Sequence, residues 1–246
     1  MDKLPSYINL LFAATTLLTI FFFYKASRSR WITITLIAWI IIQAFISRTG
    51  FYVVTDTIPP RFLLLVLPPL LLIVLTFILP RGRKFMTTLD QRWMAVLHVV
   101  RIPVEIVLFL LFIHKQVPQI MTFEGRNYDI LSGITAPFIL YFGYYKPQFG
   151  KTTLLLWNFV CLGLLFNIVI IAILAAPFPF QQFGFDQPNV AILHFPFVWL
   201  PCLVVPLVLF SHLVIIQQLL SRKSNPDGYR EGARKKKVAT HSVDLI

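Results

Sequence analysis

Seven apolar runs, each sixteen to twenty-six residues long, fill most of this 246-residue chain. A helix needs about 20 mostly apolar residues to cross the hydrocarbon core of a bilayer. In hydrocarbon a helix also satisfies every backbone amide within its own segment. Strands of a membrane barrel alternate apolar and polar residues over about ten positions, and these runs do not alternate. The expected spans are 5–24, 31–47, 62–79, 92–114, 130–145, 152–176 and 195–220. The fold expected is therefore all-α: one polytopic bundle of about seven transmembrane helices over residues 1–220. The fifth run is short for a crossing. The seventh lies in an apolar stretch from 191 to 220 that is too long for one straight span, so its first residues are expected at the interface.

The first run could be mistaken for a signal peptide. It ends in KASRSR without a small-residue cleavage site, which favours a retained first helix.

Composition agrees with a lipid solvent. Charged residues make up 13% of the chain and hydrophobic ones 57%, with a mean hydropathy of +0.77, whereas a soluble domain carries roughly 25% charged residues. The net charge of +12 would suit nucleic acid if it formed a folded basic surface. It lies instead in short clusters between the runs and in one tail, so nucleic acid is not an expected partner.

The placement of Lys and Arg orients the chain. Lys25, Arg28 and Arg30, then Arg81, Arg83, Lys84 and Arg92, then Lys146 and Lys151, and seven more after residue 221 all fall on one side. That side holds sixteen basic residues, against five on the other: Lys3, Arg48, Arg61, Lys115 and Arg126. Basic loops stay in the cytoplasm, so the amino terminus is expected outside and the carboxyl terminus inside. A plasma (inner) membrane is the expected location. Residues 221–246 read as a basic, disordered cytoplasmic tail that can lie against anionic lipid headgroups. No protein partner is named by the sequence. Trp31 and Trp93 fall near inner ends, while Trp39, Trp157 and Trp199 lie deeper, where helices pack.

Neither Cys161 nor Cys202 lies in a loop, so buried thiols are expected rather than a disulfide. Seven-helix retinal proteins and receptors are excluded at the residues that define them. Residues 191–220 contain no lysine for a retinal Schiff base, and the third run is followed by PRGRK rather than Asp-Arg-Tyr. No Asn-Pro-x-x-Tyr motif occurs either. Neither haem nor a metal is expected: His194 and His212 would stand about 27 Å apart on a straight helix. His98 could instead meet one of them across the bundle.

The fourth run carries the chemistry. His98, Arg101 and Glu105 fall at i, i+3 and i+7, on one helical face. Arg101 and Glu105 are an i, i+4 pair able to close a salt bridge. A charge at this depth costs about 2.5–3.5 kcal/mol on insertion scales, so such residues face a bundle interior or a wet cavity. Pro103 removes a backbone hydrogen bond, and a kink that frees the Val99 carbonyl is expected. Beyond the outer end, Glu124, Arg126, Asn127 and Asp129 crowd around Gly125. Asn127 or Asp129 could cap the fifth helix, or the loop could form an outer lip to a polar site. Asn158 and Asn167 read as interhelical hydrogen-bonding groups.

These residues suit binding or passage of a small polar or anionic solute, or of protons, with Arg101 holding an anion, Glu105 carrying a proton and His98 relaying it. A bland reading makes Arg101–Glu105 a structural lock in a non-catalytic subunit or sensor. A lipid-modifying enzyme with His98 or Glu105 as base is the least favoured, because no nucleophile or metal set accompanies them. No glycine-rich phosphate loop, HExxH or GxSxG occurs.

Overall fold

The computed structural model describes residues 4–221, and among them it is helical without a strand. The expected basic tail lies outside the described residues. Helix α1 (Ser6–Ser27) and α2 (Arg30–Arg48) form a tight hairpin. Arg28 closes α1 in the left-handed region (φ 53°), its N–H bonding the Tyr24 carbonyl. The Ser29 hydroxyl then accepts the Ile32 N–H and starts α2, the side-chain cap that Ser offers a free amide. Within α1, the buried hydroxyls of Thr15, Thr16 and Thr19 each bond the carbonyl one turn back, so none is unsatisfied in the apolar interior.

Helix α3 (Leu63–Ile78) carries Pro68 and Pro69 and stops at Leu79, which is extended because a proline follows. Pro80 opens α4 (Pro80–Thr88), and the chain turns through 93°. The Arg83 guanidinium donates to the Phe77 and Ile78 carbonyls, which α3 leaves without helical partners. Gly82 sits so close to the Thr76 backbone that a side chain could not fit there.

The fourth run forms α5 (Gln91–Leu97), a 3₁₀ turn at His98–Val100 and α6 (Arg101–Ile113). Asp90 caps its start by accepting the Arg92 N–H at 2.9 Å. In this 3₁₀ turn the Arg101 N–H faces the His98 and Val99 carbonyls, so the Val99 carbonyl is not left free, and the whole remains one 23-residue segment. Helix α7 (Ile130–Leu140) ends in a π turn at Tyr141–Tyr145, and α8 (Lys151–Leu174) follows. The last run enters through a buried 3₁₀ turn, Ala191–Leu193, then a π turn, Leu200–Val204, then α9 (Val205–Ser221).

Five of these segments are long and apolar enough to cross a membrane, and six if bent α3–α4 is one span. This fits an integral membrane protein. Ile130–Tyr145 is shorter, about 24 Å at 1.5 Å per residue against a core of about 30 Å. Length alone therefore supports five or six crossings rather than seven.

The centre of the bundle is the Leu200–Ser221 segment, the most buried of the long helices, followed by Gln91–Ile113; α2 is peripheral and mostly exposed. Helix α1 packs on α5 and α6, and α9 on α8 and α5. The π turn has a cause in sequence. Pro206 has no N–H to give the Cys202 carbonyl, and the Trp39 indole donates to that carbonyl instead at 3.0 Å. Trp199 returns the tie, donating to the Ile40 carbonyl at 2.9 Å. Cys161 and Cys202 are both free, buried thiols.

Candidate functional site

The 3₁₀ turn at the middle of the fourth run points His98 and Arg101 into the bundle, where α7, α8 and α9 meet them. Helix α7 comes this close because Gly133 has no side chain: a Cβ there would lie 2.8 Å from Ile102 Cγ1 and 3.0 Å from the Ile102 nitrogen. The result is a buried polar cluster of His98, Arg101, Glu105, Asn127, Asp129, Ser132, Asn158, Ser211 and His212, each at most 4% exposed.

Arg101 is the hub. Its Nη1 lies 3.0 Å from Asp129 Oδ1 and 3.5 Å from the Cys161 carbonyl. Its Nη2 lies 3.1 Å from His212 Nε2. The ion pair with Asp129 replaces the expected bridge between Arg101 and Glu105. Glu105 accepts instead from the Asn127 amide at 2.6 Å, and the same amide donates to the Met121 carbonyl at 2.9 Å. The physical reason is satisfaction: a bridge within one helix would have left the buried Asp129 carboxylate without a cation, which is costly in a low-dielectric interior.

The loop between α6 and α7 therefore divides. Asn127 and Asp129 turn inward, while Glu124 and Arg126 are exposed. Neither inward residue caps α7 with its side chain. Asn127 Oδ1 accepts the Asp129 N–H at 3.1 Å, which fixes the turn that aims Asp129 at Arg101. Ser132 bonds the same carboxylate at 3.4 Å. Asn167 on α8 steadies the loop by donating to the Arg126 carbonyl at 2.8 Å.

The hydrogen bonds assign the two histidines. Asn158 uses its amide nitrogen on the Leu154 carbonyl, so its oxygen, 2.9 Å from His212 Nδ1, accepts from that nitrogen. Nε2 of His212 is then the lone pair that faces the Arg101 guanidinium, and the ring is neutral. Ser211 donates its hydroxyl to the Met94 carbonyl at 2.8 Å, so it accepts from His98 Nε2 at 3.2 Å. His98 Nδ1 is left buried with no protein partner, as is Arg101 Nε. The two rings stack, centroids 3.9 Å apart, with Trp157 against both.

One guanidinium thus shares a buried site with two carboxyl groups. With both carboxylates ionised and both imidazoles neutral, the cluster carries a net charge of −1. The lone pair of His98 Nδ1 and the second oxygens of Glu105 and Asp129 are places where one further proton makes it neutral.

His98, Arg101 and Glu105 were legible as a cluster from spacing, as was the chance of a second histidine. Ser211 and Trp157 were not, because nothing in an apolar helix marks which Ser or Trp faces a partner.

Residues 58–220 match the family model described as "Domain of unknown function (DUF8737)", and the chain belongs to that family. Every residue of the buried cluster lies inside the matched segment. No curated protein and no solved structure matches the chain.

Proposed function

We propose that this member of the family is a multi-pass membrane protein that takes up and relays protons at the His98–Arg101–Glu105 site. The observation that carries the reading is the uneven charge of the site. Two carboxyl groups and one guanidinium in a buried interior make the gain of one proton electrostatically favourable. A neutral histidine with an unfilled nitrogen stands beside them. His98 Nδ1 is the entry from the cytoplasmic half, Arg101 holds Asp129 and His212 in place, and Glu105 receives on the outer half through the Asn127 loop. The distribution of basic residues supports an amino terminus outside and a carboxyl terminus inside, with the plasma membrane as the location.

Reconstitution into liposomes carrying an internal pH dye tests this, with potassium and valinomycin to cancel voltage. The wild-type protein is expected to collapse an imposed pH gradient. Glu105→Gln keeps the bond to Asn127 but cannot carry a proton, and is expected to slow collapse about tenfold or more while eluting as the wild type does. A wild-type rate equal to that of empty liposomes, or an unchanged rate in Glu105→Gln, rejects the relay.

A second reading rests on Asp129. The Arg101 fork is filled by a carboxylate from a connecting segment, and a solute carboxylate could exchange for it. Asp129→Asn would then raise the affinity for small carboxylates, whereas a relay alone predicts no such binding.

A further inference from the structure

A groove of about 310 Å³ lies between α2, α3 and α9. Its walls are Thr35 and Trp39 of α2, Pro69, Leu72 and Thr76 of α3, and Leu207 of α9. It exists because α3 meets the bundle mainly through α9 and the π turn, while α2 packs on α1 and that same turn. Pro68 and Pro69 take two backbone donors out of α3. Leu72 stands 63% exposed on the rim, so the groove opens sideways to whatever solvates the helices.

One end of the groove is chemically distinct. Phe23, Ile32 and Phe85 close it, and each is within a few residues of a basic cluster. Arg28 lies in the turn before α2 and Arg30 opens that helix just before Ile32, and Arg81 and Lys84 lie on α4 just before Phe85. All four are exposed, and neither segment, 25–31 or 79–88, contains an acidic residue. The 93° bend at Leu79 lays α4 across this end. Arg83 is taken up by the α3 carbonyls, which leaves Arg81 and Lys84 to face outward.

We infer that this groove binds one anionic phospholipid, an acyl chain between α2 and α3 and the phosphate headgroup on Arg28, Arg30, Arg81 and Lys84. The inference rests on a bilayer around the helices and not on proton relay. In hydrocarbon an acyl chain gains nothing from water exclusion, so retention depends on the fit of the groove and on charge at its end. An anionic headgroup meets four cations here, whereas a zwitterionic one brings its own.

Native mass spectrometry of the full chain in detergent, titrated with phosphatidylglycerol and with phosphatidylcholine of the same acyl chains, tests it. Phosphatidylglycerol is expected to be retained at least about fivefold better. Thr76→Trp fills the groove from one wall and Thr35→Trp from the other, and each is expected to remove that retention. The pair Arg81→Glu and Lys84→Glu is expected to abolish the headgroup preference. Equal retention of the two lipids, wild-type retention in either tryptophan variant that elutes as folded protein, or a preserved preference after charge reversal overturns the assignment. Thr35 is exposed on α2, so its variant reads the groove even if Thr76→Trp does not accumulate.

Discussion

Arg101 and Asp129 meet at 3.0 Å inside the bundle, although Arg101 has Glu105 one turn away on its own helix. Asp129 belongs to the segment that returns from the C-terminal end of α6, so this pair ties the fourth helical run to the entrance of α7. Glu105 completes the tie through Asn127. A relay and a lock use the same atoms here, and they are separated by what happens when the charges are removed together.

Breaking a buried ion pair from one side costs about 3–5 kcal/mol, because the remaining charge is left unpaired, whereas replacing both partners by apolar groups is often neutral. Arg101→Met alone and Asp129→Leu alone are each expected to lower thermal unfolding in detergent sharply. The double variant is expected to regain most of the loss, with the interaction energy read as a double-mutant cycle. It is expected to remain inactive in the pH-gradient assay. Recovery of activity together with stability would make the pair a lock only.

The two histidines are expected to differ. His98→Phe keeps the stack and leaves one Ser211 lone pair unfilled, a cost of about 1 kcal/mol. His212→Phe leaves both an Arg101 nitrogen and the Asn158 oxygen unpartnered, at about 1–3 kcal/mol for each buried group. Chemical unfolding monitored by tryptophan fluorescence should therefore rank His212→Phe below His98→Phe in stability. The pH-gradient assay should nonetheless find His98→Phe inactive.

Gly133 sets the distance between α7 and the fourth run. Gly133→Ala places a methyl group against Ile102 at contacts that real side chains do not tolerate, and overpacking of this kind costs about 1–3 kcal/mol. The expected result is a lower unfolding temperature, with a further loss in Gly133→Leu. An unchanged temperature would mean that α7 is free to move away.

Topology can be read with a membrane-impermeant maleimide on single cysteines introduced at exposed positions. Thr87→Cys and Gly150→Cys are expected to label from the inside and Glu124→Cys from the outside. Labelling of positions 124 and 150 from the same face would show that Ile130–Tyr145 does not cross, and would reduce the count to six.

Much of the architecture is local and was readable. Each apolar run expected from hydropathy is helical, and the ends follow from neighbouring residues: Ser29 and Asp90 as caps, Pro80 as a stop. The 93° bend after α3 was not anticipated, since a Leu-Pro step marks a boundary without giving an angle. The short fifth run was visible as short, yet whether it crosses depends on how its neighbours hold it. In the site, spacing placed His98, Arg101 and Glu105 on one face and suggested a second histidine. It gave the wrong partner for Arg101, because i, i+4 proximity is only one of the ways a long side chain can be satisfied.

Hydropathy and the positions of Lys and Arg are properties of single segments, so the sequence alone determined a helical membrane chain and an expected direction for it. It also determined that the fourth run brings charge into an apolar interior. Which groups answer that charge was decided by tertiary structure. Asp129, Asn127, His212 and Ser211 reach Arg101, Glu105 and His98 from segments far along the chain. Only the packed bundle, with Gly133 letting α7 approach, brings them within hydrogen-bond distance.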